Sequence, residues 1–477
     1  MLFNSFEFAI FFAVVLVAYW VLLGRSIRAQ NLLLLVASYV FYGWWDYRFL
    51  GLVVVSSLAD YAIGWKLGSE VSAARRKAYL VASLAVNLGI LGFFKYYNFF
   101  SESLADALQS AGVQASFSTL HVILPVGISF YTFQTLTYTI DIYRGQMKPV
   151  RDPIAFFTYV AFFPQLVAGP IERAAHLLPQ FQRRRRLSDS DAQDGARQVL
   201  WGLFKKMVIA DNVALQVDYI FSNYQTLDGL SLTLGAFFFA IQIYCDFSGY
   251  SDVALGTARL LGFDLQRNFA YPYFSRNIAE FWRRWHISLS NWFRDYLYIP
   301  LGGNRRGRTR TLLNILVTFS LCGLWHGANW TFVVWGFFNG LLFVPLILTG
   351  RHQVAEQSVA HGRAAPSFRE AAAMLGTFAL VLCGWVFFRS ANLSSAFGYF
   401  WQLLSTPYLA LDYQRYAQPI VLSLGLMLIE WFQREREHGL QMTRLPLLPR
   451  YAVYFALLVV MVEFGSREHV PFIYFQF

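Results

Sequence analysis

The residues whose types and setting could do chemistry are two histidines. His326 lies in the string Cys322, Gly323, Leu324, Trp325, His326, Gly327, Ala328, Asn329, Trp330, in the middle of the longest apolar run of the chain, Leu312 to Leu348. An imidazole within an apolar run is costly to bury, which makes it a candidate for function rather than decoration. A lone buried histidine is more often a packing residue, but Gly323 and Gly327 leave room beside this ring for a ligand, and Trp325 and Trp330 supply an apolar wall. A neutral imidazole in such a place can take or give a proton.

The second histidine, His286, belongs to the aromatic and basic segment from Glu280 to Tyr296, which also carries Asn291. Trp282, Trp285, Leu289, Trp292, Phe293 and Tyr296 recur at helical spacing, and this predicts an amphipathic helix anchored at the membrane interface by tryptophan and arginine. His286 falls on the face of Trp282 and Phe293 rather than with the charges, and folding could bring it towards His326. Other reaction signatures are missing. The sequence has no HExxH, CxxC, Walker loop, GxSxG or GxGxxG, so zinc hydrolysis, ATP use and dinucleotide binding have no support, and no metal ligands are assigned. Cys245, Cys322 and Cys383 lie in apolar stretches and read as small core residues. Asn329, Trp330 and Thr331 match a glycosylation sequon inside an apolar run, which makes the match a chance one.

The elements that must hold these residues are membrane helices. Of the 477 residues, 56% are hydrophobic and only 14% charged, with a mean hydropathy of +0.41. A soluble chain carries roughly a quarter of its residues as charges, so there is too little polar surface here to face water. Disorder, collagen-like repeats and a disulfide scaffold are excluded by the same composition. The net charge of +11 would suggest nucleic acid in a soluble protein, but in a membrane protein it marks cytoplasmic loops, so no nucleic-acid partner is expected.

Apolar runs of near-spanning length recur from Phe8 to Phe464, among them Leu32 to Trp45, Leu50 to Trp65, Leu120 to Ile140 and Ile154 to Val167. Leu312 to Leu348 is long enough for two segments meeting near Gly327. The sequence predicts an all-α polytopic membrane protein with ten to twelve spanning helices. Met1 to Phe8 contains Glu7 and no basic residue, which predicts a retained first helix rather than a cleaved signal. Arg25 and Arg28 follow the first run, whereas Arg48 stands alone after the second, and this places the N-terminus outside. Arg183 to Arg186, the loop with Arg305, Arg306, Arg308 and Arg310, and Arg434 to Arg436 would then face the cytosol as topology anchors.

One integral-membrane domain is expected over residues 1–477: N-terminal helices over 1–180, a partly interfacial region over 181–310, the His326 helices over 311–350 and C-terminal helices over 370–477. Ala196 to Val213, with Arg197, Lys205 and Lys206, reads as a helix lying in the interface. Pro125 with Gly127, and Pro164 with Gly169 and Pro170, predict broken or re-entrant helices. Asp246, Ser248, Tyr250 and Asp252 form a polar knot that either caps a following helix, Ala254 to Leu261, or lines a cavity.

Three strings carry a family resemblance: "FWRRWHISLSNWFRD" from Phe281 to Asp295, "YLYIPLGG" from Tyr296 to Gly303, and "LWHGAN" from Leu324 to Asn329. Together with "LPVGISFYTFQTLTYTIDIYRG" from Leu124, "AGPIER" from Ala168, "DFSGYSDVALGTARLLG" from Asp246 and the terminal "PFIYFQF" from Pro471, they resemble the membrane-bound O-acyltransferases, in the bacterial branch that O-acetylates exopolysaccharides such as alginate or cellulose. The resemblance spans nearly the whole chain. It implies a multi-helix fold with re-entrant and interfacial helices around a central funnel. The family's defining histidine corresponds to His326. A second family position, some forty residues earlier and filled by Asn, Asp or His, corresponds to His286.

What the resemblance implies is acetyl transfer from cytosolic acetyl-CoA, with no further cofactor, to a hydroxyl on the far side of a bacterial inner membrane. His326 would serve as base, with His286 orienting it, binding the acceptor or stabilising the oxyanion. Arg305, Arg306 and Arg308 could pair with CoA phosphates, and Trp325, Asn329, Trp282, Trp285 and Asn291 are candidate substrate contacts. A secreted or membrane-anchored acetyltransferase of the SGNH type is the implied partner, alongside other polysaccharide-modification proteins and the bilayer itself. Two rival readings share the composition: D-alanyl transfer to teichoic acid from a carrier protein, and a transporter, although no internal repeat supports the latter.

Overall fold

A computed structural model describes residues 1–113, 124–167, 169–350, 357–408, 412–442, 445–465 and 471–473. The first residues of the run beginning at Leu120, Ala168 of the "AGPIER" string and the last four residues of "PFIYFQF" lie outside the described residues. The regular structure of the described residues is all helical, without strands. Six of its helices are long and apolar enough to cross a membrane: Ile27–Ser69, Ala73–Ser110, Gly229–Leu260, Trp330–Leu348, Phe368–Arg389 and Leu447–Phe464. The first of these absorbs two of the expected runs, Leu32 to Trp45 and Leu50 to Trp65. They meet at a turn where the Asp46 carboxylate accepts the Arg48 backbone N–H at 3.0 Å. Phe6–Leu22 and Pro153–Leu166 are apolar but shorter.

The chain resolves into two compact units. One comprises Met1–Gly195 with Ala254–Gln266. Its core helix, Ile128–Tyr143, starts after Gly127 in the left-handed region (φ 76°) and is buried on nearly every side despite carrying Thr132, Gln134, Thr135, Thr137 and Thr139. Buried polar groups must find partners. Gln134 donates to the Tyr159 carbonyl at 2.7 Å and Thr137 to the Phe133 carbonyl at 2.7 Å, while the Asp60 carboxylate accepts from Thr139 Oγ1 at 2.9 Å together with Ser83 Oγ at 2.5 Å and Asn87 Nδ2 at 2.7 Å.

A second polar clip in this unit ties residues 264–266 to the helix Ala174–Gln182. Glu172 accepts the Gln266 backbone N–H at 2.5 Å, and Gln180 exchanges two hydrogen bonds with the Asp264 backbone, at 2.8 and 2.9 Å. His176 sits between Glu172 (2.8 Å) and Asp264 (3.6 Å). The Asp264 and Glu172 carboxylates hold its imidazolium up to about 10, against an ordinary value of 6.5.

The other unit comprises Ala196–Val253 and Arg267–Phe477. Within it the run from Leu312 to Leu348 divides at Gly327, as its length required: helix Gly307–His326 ends there and helix Trp330–Leu342 begins after it. Asn329 caps the second helix, accepting the Thr331 N–H at 3.0 Å and donating to the Ala391 carbonyl at 3.0 Å. The two helices pack almost backbone to backbone. A Cβ at Gly323 would overlap the Phe332 carbonyl, and one at Gly336 would overlap that of Phe319.

Two expectations about this unit are corrected. Lys205 and Lys206 do not point outward as anchors at a membrane surface but are buried at 2% exposure each. A π-helical turn, Lys205–Ala210, adds a residue to the helical repeat and so turns two consecutive lysines inward. Lys205 meets Asp252 at 2.7 Å and Ser248 at 2.7 Å, while Lys206 bridges Asp211 and Asp246 at 2.8 Å each. The polar knot therefore does not cap a new helix. It sits inside one continuous helix, Gly229–Leu260, and receives these ammonium groups.

Two outcomes follow. Gly323→Ala should lower stability by about 1–3 kcal/mol, the usual cost of overpacking, whereas Gly376→Ala, with nothing within 4 Å, should not; thermal melts in detergent would show it, and equal melting points would contradict the close approach. Because the folded-state pKa of His176 is raised, its stabilisation is complete below 6.5 and fades as pH rises towards 10. The melting-point gap between the protein and His176→Gln should close across that window, and a gap independent of pH would remove the clip.

Candidate active site

The break at Gly327 leaves His326 as the last residue of its helix, 3% exposed. The second histidine arrives from a different local device. Glu280 to Tyr296 is not the single amphipathic helix that its spacing predicts, but two short helices, Ile278–Arg284 and Ile287–Phe293, broken at His286. His286 itself is left-handed (φ 43°, ψ 57°), a conformation that costs a residue with a Cβ and is kept where the surroundings impose it. Asn268 imposes it: its carbonyl accepts the Ile287 N–H at 2.9 Å and its Oδ1 accepts the Ser288 hydroxyl at 2.9 Å. The turn drives the imidazole inward, to 0% exposure.

The two rings lie 6.3 Å apart, centroid to centroid, at 54°. Trp325 stands beside both, 5.0 Å from His326 and 6.1 Å from His286. Trp335 at 5.1 Å and Phe388 at 5.4 Å present edges to His326, and Phe247 meets His286 edge-on at 4.6 Å. Neither ring nitrogen of His286 has a hydrogen-bond partner among the described residues. His286 lies outside the spanning helices, and burial without a compensating charge pushes its imidazole down to about 3, so the ring is neutral at physiological pH. An unpartnered, neutral, fully buried imidazole keeps both its donor and its acceptor for a ligand.

A cavity of about 910 Å³ approaches this pair, at the upper end of the roughly 300–1,000 Å³ of ligand pockets. Its rim carries three exposed arginines, Arg283, Arg294 and Arg308. Its walls include Trp282, Phe293 and Phe319, together with Ile287, next in sequence to His286, and Cys322, one turn before His326. Along helix Gly307–His326 the lining residues include Arg308, Thr311, Ile315, Thr318 and Cys322, a stripe at steps of three and four whose next member is His326. From Arg308 to His326 the helix rises roughly 27 Å. This geometry accepts a long, thin ligand with an anionic end.

The structure sorts the sequence-derived candidates. His326 and His286 are brought together, with Trp325 against both. Trp282 and Asn291 line the cavity. Trp285 does not: 1% exposed, it packs on Trp385 at 4.9 Å and Phe269 at 5.1 Å behind His286. Asn329 is occupied as a helix cap, and Trp330 is 52% exposed rather than a wall of the site. Arg305 and Arg306 are exposed beyond the cavity lining, while Arg308 belongs to it. Arg283 and Arg294 were masked in sequence as interface anchors. Asn268, Trp335 and Phe388 come from distant positions with no local signal.

The all-helical fold with its apolar, membrane-length helices can be set beside known proteins. The profile of MBOAT, the membrane-bound O-acyltransferase family, matches residues 48–383, and the chain belongs to that family and is an O-acyltransferase. It is similar to the probable alginate O-acetylase AlgI of Pseudomonas putida, 37% identical over 507 aligned positions that cover all of both chains. The Pseudomonas syringae protein of the same name is 43% identical over 397 positions, 83% of this chain and 74% of that one. A peptidoglycan O-acetyltransferase of Helicobacter pylori is 35% identical over 430, covering 83% and 78%.

Proposed function

We propose that the protein transfers acetyl groups from cytosolic acetyl-CoA to a hydroxyl presented from the other side of a bacterial inner membrane, in the O-acetylation of an exported polysaccharide of the alginate type. The observation that carries the reading is the pairing of His286 with His326, whose neighbours Ile287 and Cys322 line an arginine-bearing cavity. The N-terminus lies outside and the rim of Arg283, Arg294 and Arg308 faces the cytosol, in keeping with the positive-inside rule.

The CoA phosphates sit among the rim arginines, whose guanidinium groups bind phosphate bidentately. The pantetheine arm follows the stripe from Thr311 to Cys322 and delivers the thioester to the histidines. His326 takes the proton from the acceptor hydroxyl as its oxygen attacks the thioester carbon. His286, neutral and with an N–H to spare, donates to the oxyanion that develops on the carbonyl oxygen. The C–S bond then breaks, the new ester leaves, and the proton held on His326 passes to the thiolate, so that CoA departs as the thiol. Donor and acceptor meet inside the protein, and neither CoA nor polymer crosses the bilayer. The acceptor is the glycan itself or an SGNH-type acetyltransferase that relays the group to it.

His326→Ala should accumulate normally in the membrane while acetylation of the polymer falls at least a hundredfold, the lower end of what a lost general base costs; retained acetylation would sink the assignment. Reversing charge at Arg283, Arg294 or Arg308 should raise KM for acetyl-CoA by roughly tenfold, as loss of a charge-assisted bond does. The same reversal at Arg305 or Arg306 should change it by less than about twofold, in line with exposed charges. Equal effects at both sets would mean that the rim does not read the donor.

A further inference from the structure

The polar knot of helix Gly229–Leu260 and the terminal string beginning at Pro471 take no part in the mechanism above, yet the structure ties them together. Phe472 and Ile473 are buried, at 0% and 2% exposure. The Ile473 N–H donates to Asp246 Oδ2 at 2.7 Å, and Asp246 Oδ1 is held by Lys206 at 2.8 Å. Lys206 is in turn held by Asp211 at 2.8 Å. A chain segment is thus anchored by its backbone to a buried ion triad. The Phe472 ring lies 4.3 Å from Tyr250 and 6.0 Å from Phe247, two residues of the same helix.

Phe247 is the residue that meets His286 edge-on at 4.6 Å and 85°. An active-site histidine is ordinarily oriented by a hydrogen bond to its second nitrogen. His286 has no such bond among the described residues. Its ring is therefore held by aromatic walls: Phe247, Phe269 at 6.5 Å and Trp325 at 6.1 Å. Of these, Phe247 makes the nearest approach, and Phe472 stands behind it.

We infer that Pro471–Ile473 is a positioning strap, in which Phe472 buttresses Phe247 and so fixes the orientation of the His286 imidazole. The inference rests on the role given to His286 above. Phe472 is a positioning residue, since it acts on His286 only through Phe247. The Ile473 N–H on the buried Asp246 carboxylate is a strong, directional bond that fixes the strap against the helix. Replacing the flat ring by a branched aliphatic group would keep the burial and lose the edge-on contact.

The test is a double-mutant cycle on the full chain in nanodiscs, following release of the CoA thiol from acetyl-CoA with an alginate oligosaccharide as acceptor. Phe472→Leu should lower kcat by roughly tenfold to a hundredfold, the cost of a small misplacement, with KM for acetyl-CoA unchanged. Phe247→Leu should do the same, and the double variant should be no worse than either single one, because both act on one contact. Effects that multiply, a kcat that stays at the starting value, or a loss that only tracks a fall in melting point would each overturn the strap. His286→Ala separates the two readings. If that variant turns over normally, the assigned role of His286 fails; if it is inactive while Phe472→Leu is fully active, the strap alone fails.

Discussion

The structure depends on keeping an imidazole buried with nothing to bond to. His286 is sealed from solvent with both ring nitrogens unpartnered among the described residues and its backbone in a left-handed turn. Each of these features costs free energy, on the order of 1–3 kcal/mol for the turn and a similar amount for each unsatisfied polar group. Such costs persist only when the surroundings over-determine the conformation. Asn268 fixes the turn, aromatic rings close around the imidazole, and the break at Gly327 delivers His326 to within 6.3 Å.

The buried carboxylates and ammonium groups of the apolar interior follow a different rule and are gathered into clusters. Asp60 gathers Ser83, Asn87 and Thr139, and Lys205 and Lys206 meet three carboxylates and a hydroxyl. Buried ion pairs of this sort add little net stability, but breaking one leaves a stranded charge, so they specify a single arrangement. Against those clusters, His286 stands out because both of its ring nitrogens are unpartnered among the described residues and a second histidine lies beside it. The arginine rim and the stripe that leads from it supply the direction from which the ligand comes.

How much of this was legible in the sequence differs from residue to residue. His326 could be read because an imidazole between two glycines and two tryptophans interrupts an apolar run, and the break at Gly327 followed from the length of that run. His286 was an oddity of one helical face until the family resemblance gave it a partner. The helix on which that face was drawn does not exist as one piece, since the left-handed turn depends on Asn268, a contact that local spacing cannot reveal. Lys205 and Lys206 looked like interface anchors because a π-helical turn leaves no mark in a 3.6-residue pattern. Arg283 and Arg294 could not be told from topology anchors, because charge alone does not say which arginines share a rim.

The most direct measurement is a structure of the protein in nanodiscs with a non-hydrolysable thioether analogue of acetyl-CoA. The account predicts the phosphates among Arg283, Arg294 and Arg308, the arm along Thr311 to Cys322, and the acetyl carbonyl between His286 and His326. An analogue seated elsewhere, or one whose carbonyl lies beyond hydrogen-bond reach of both histidines, would contradict it.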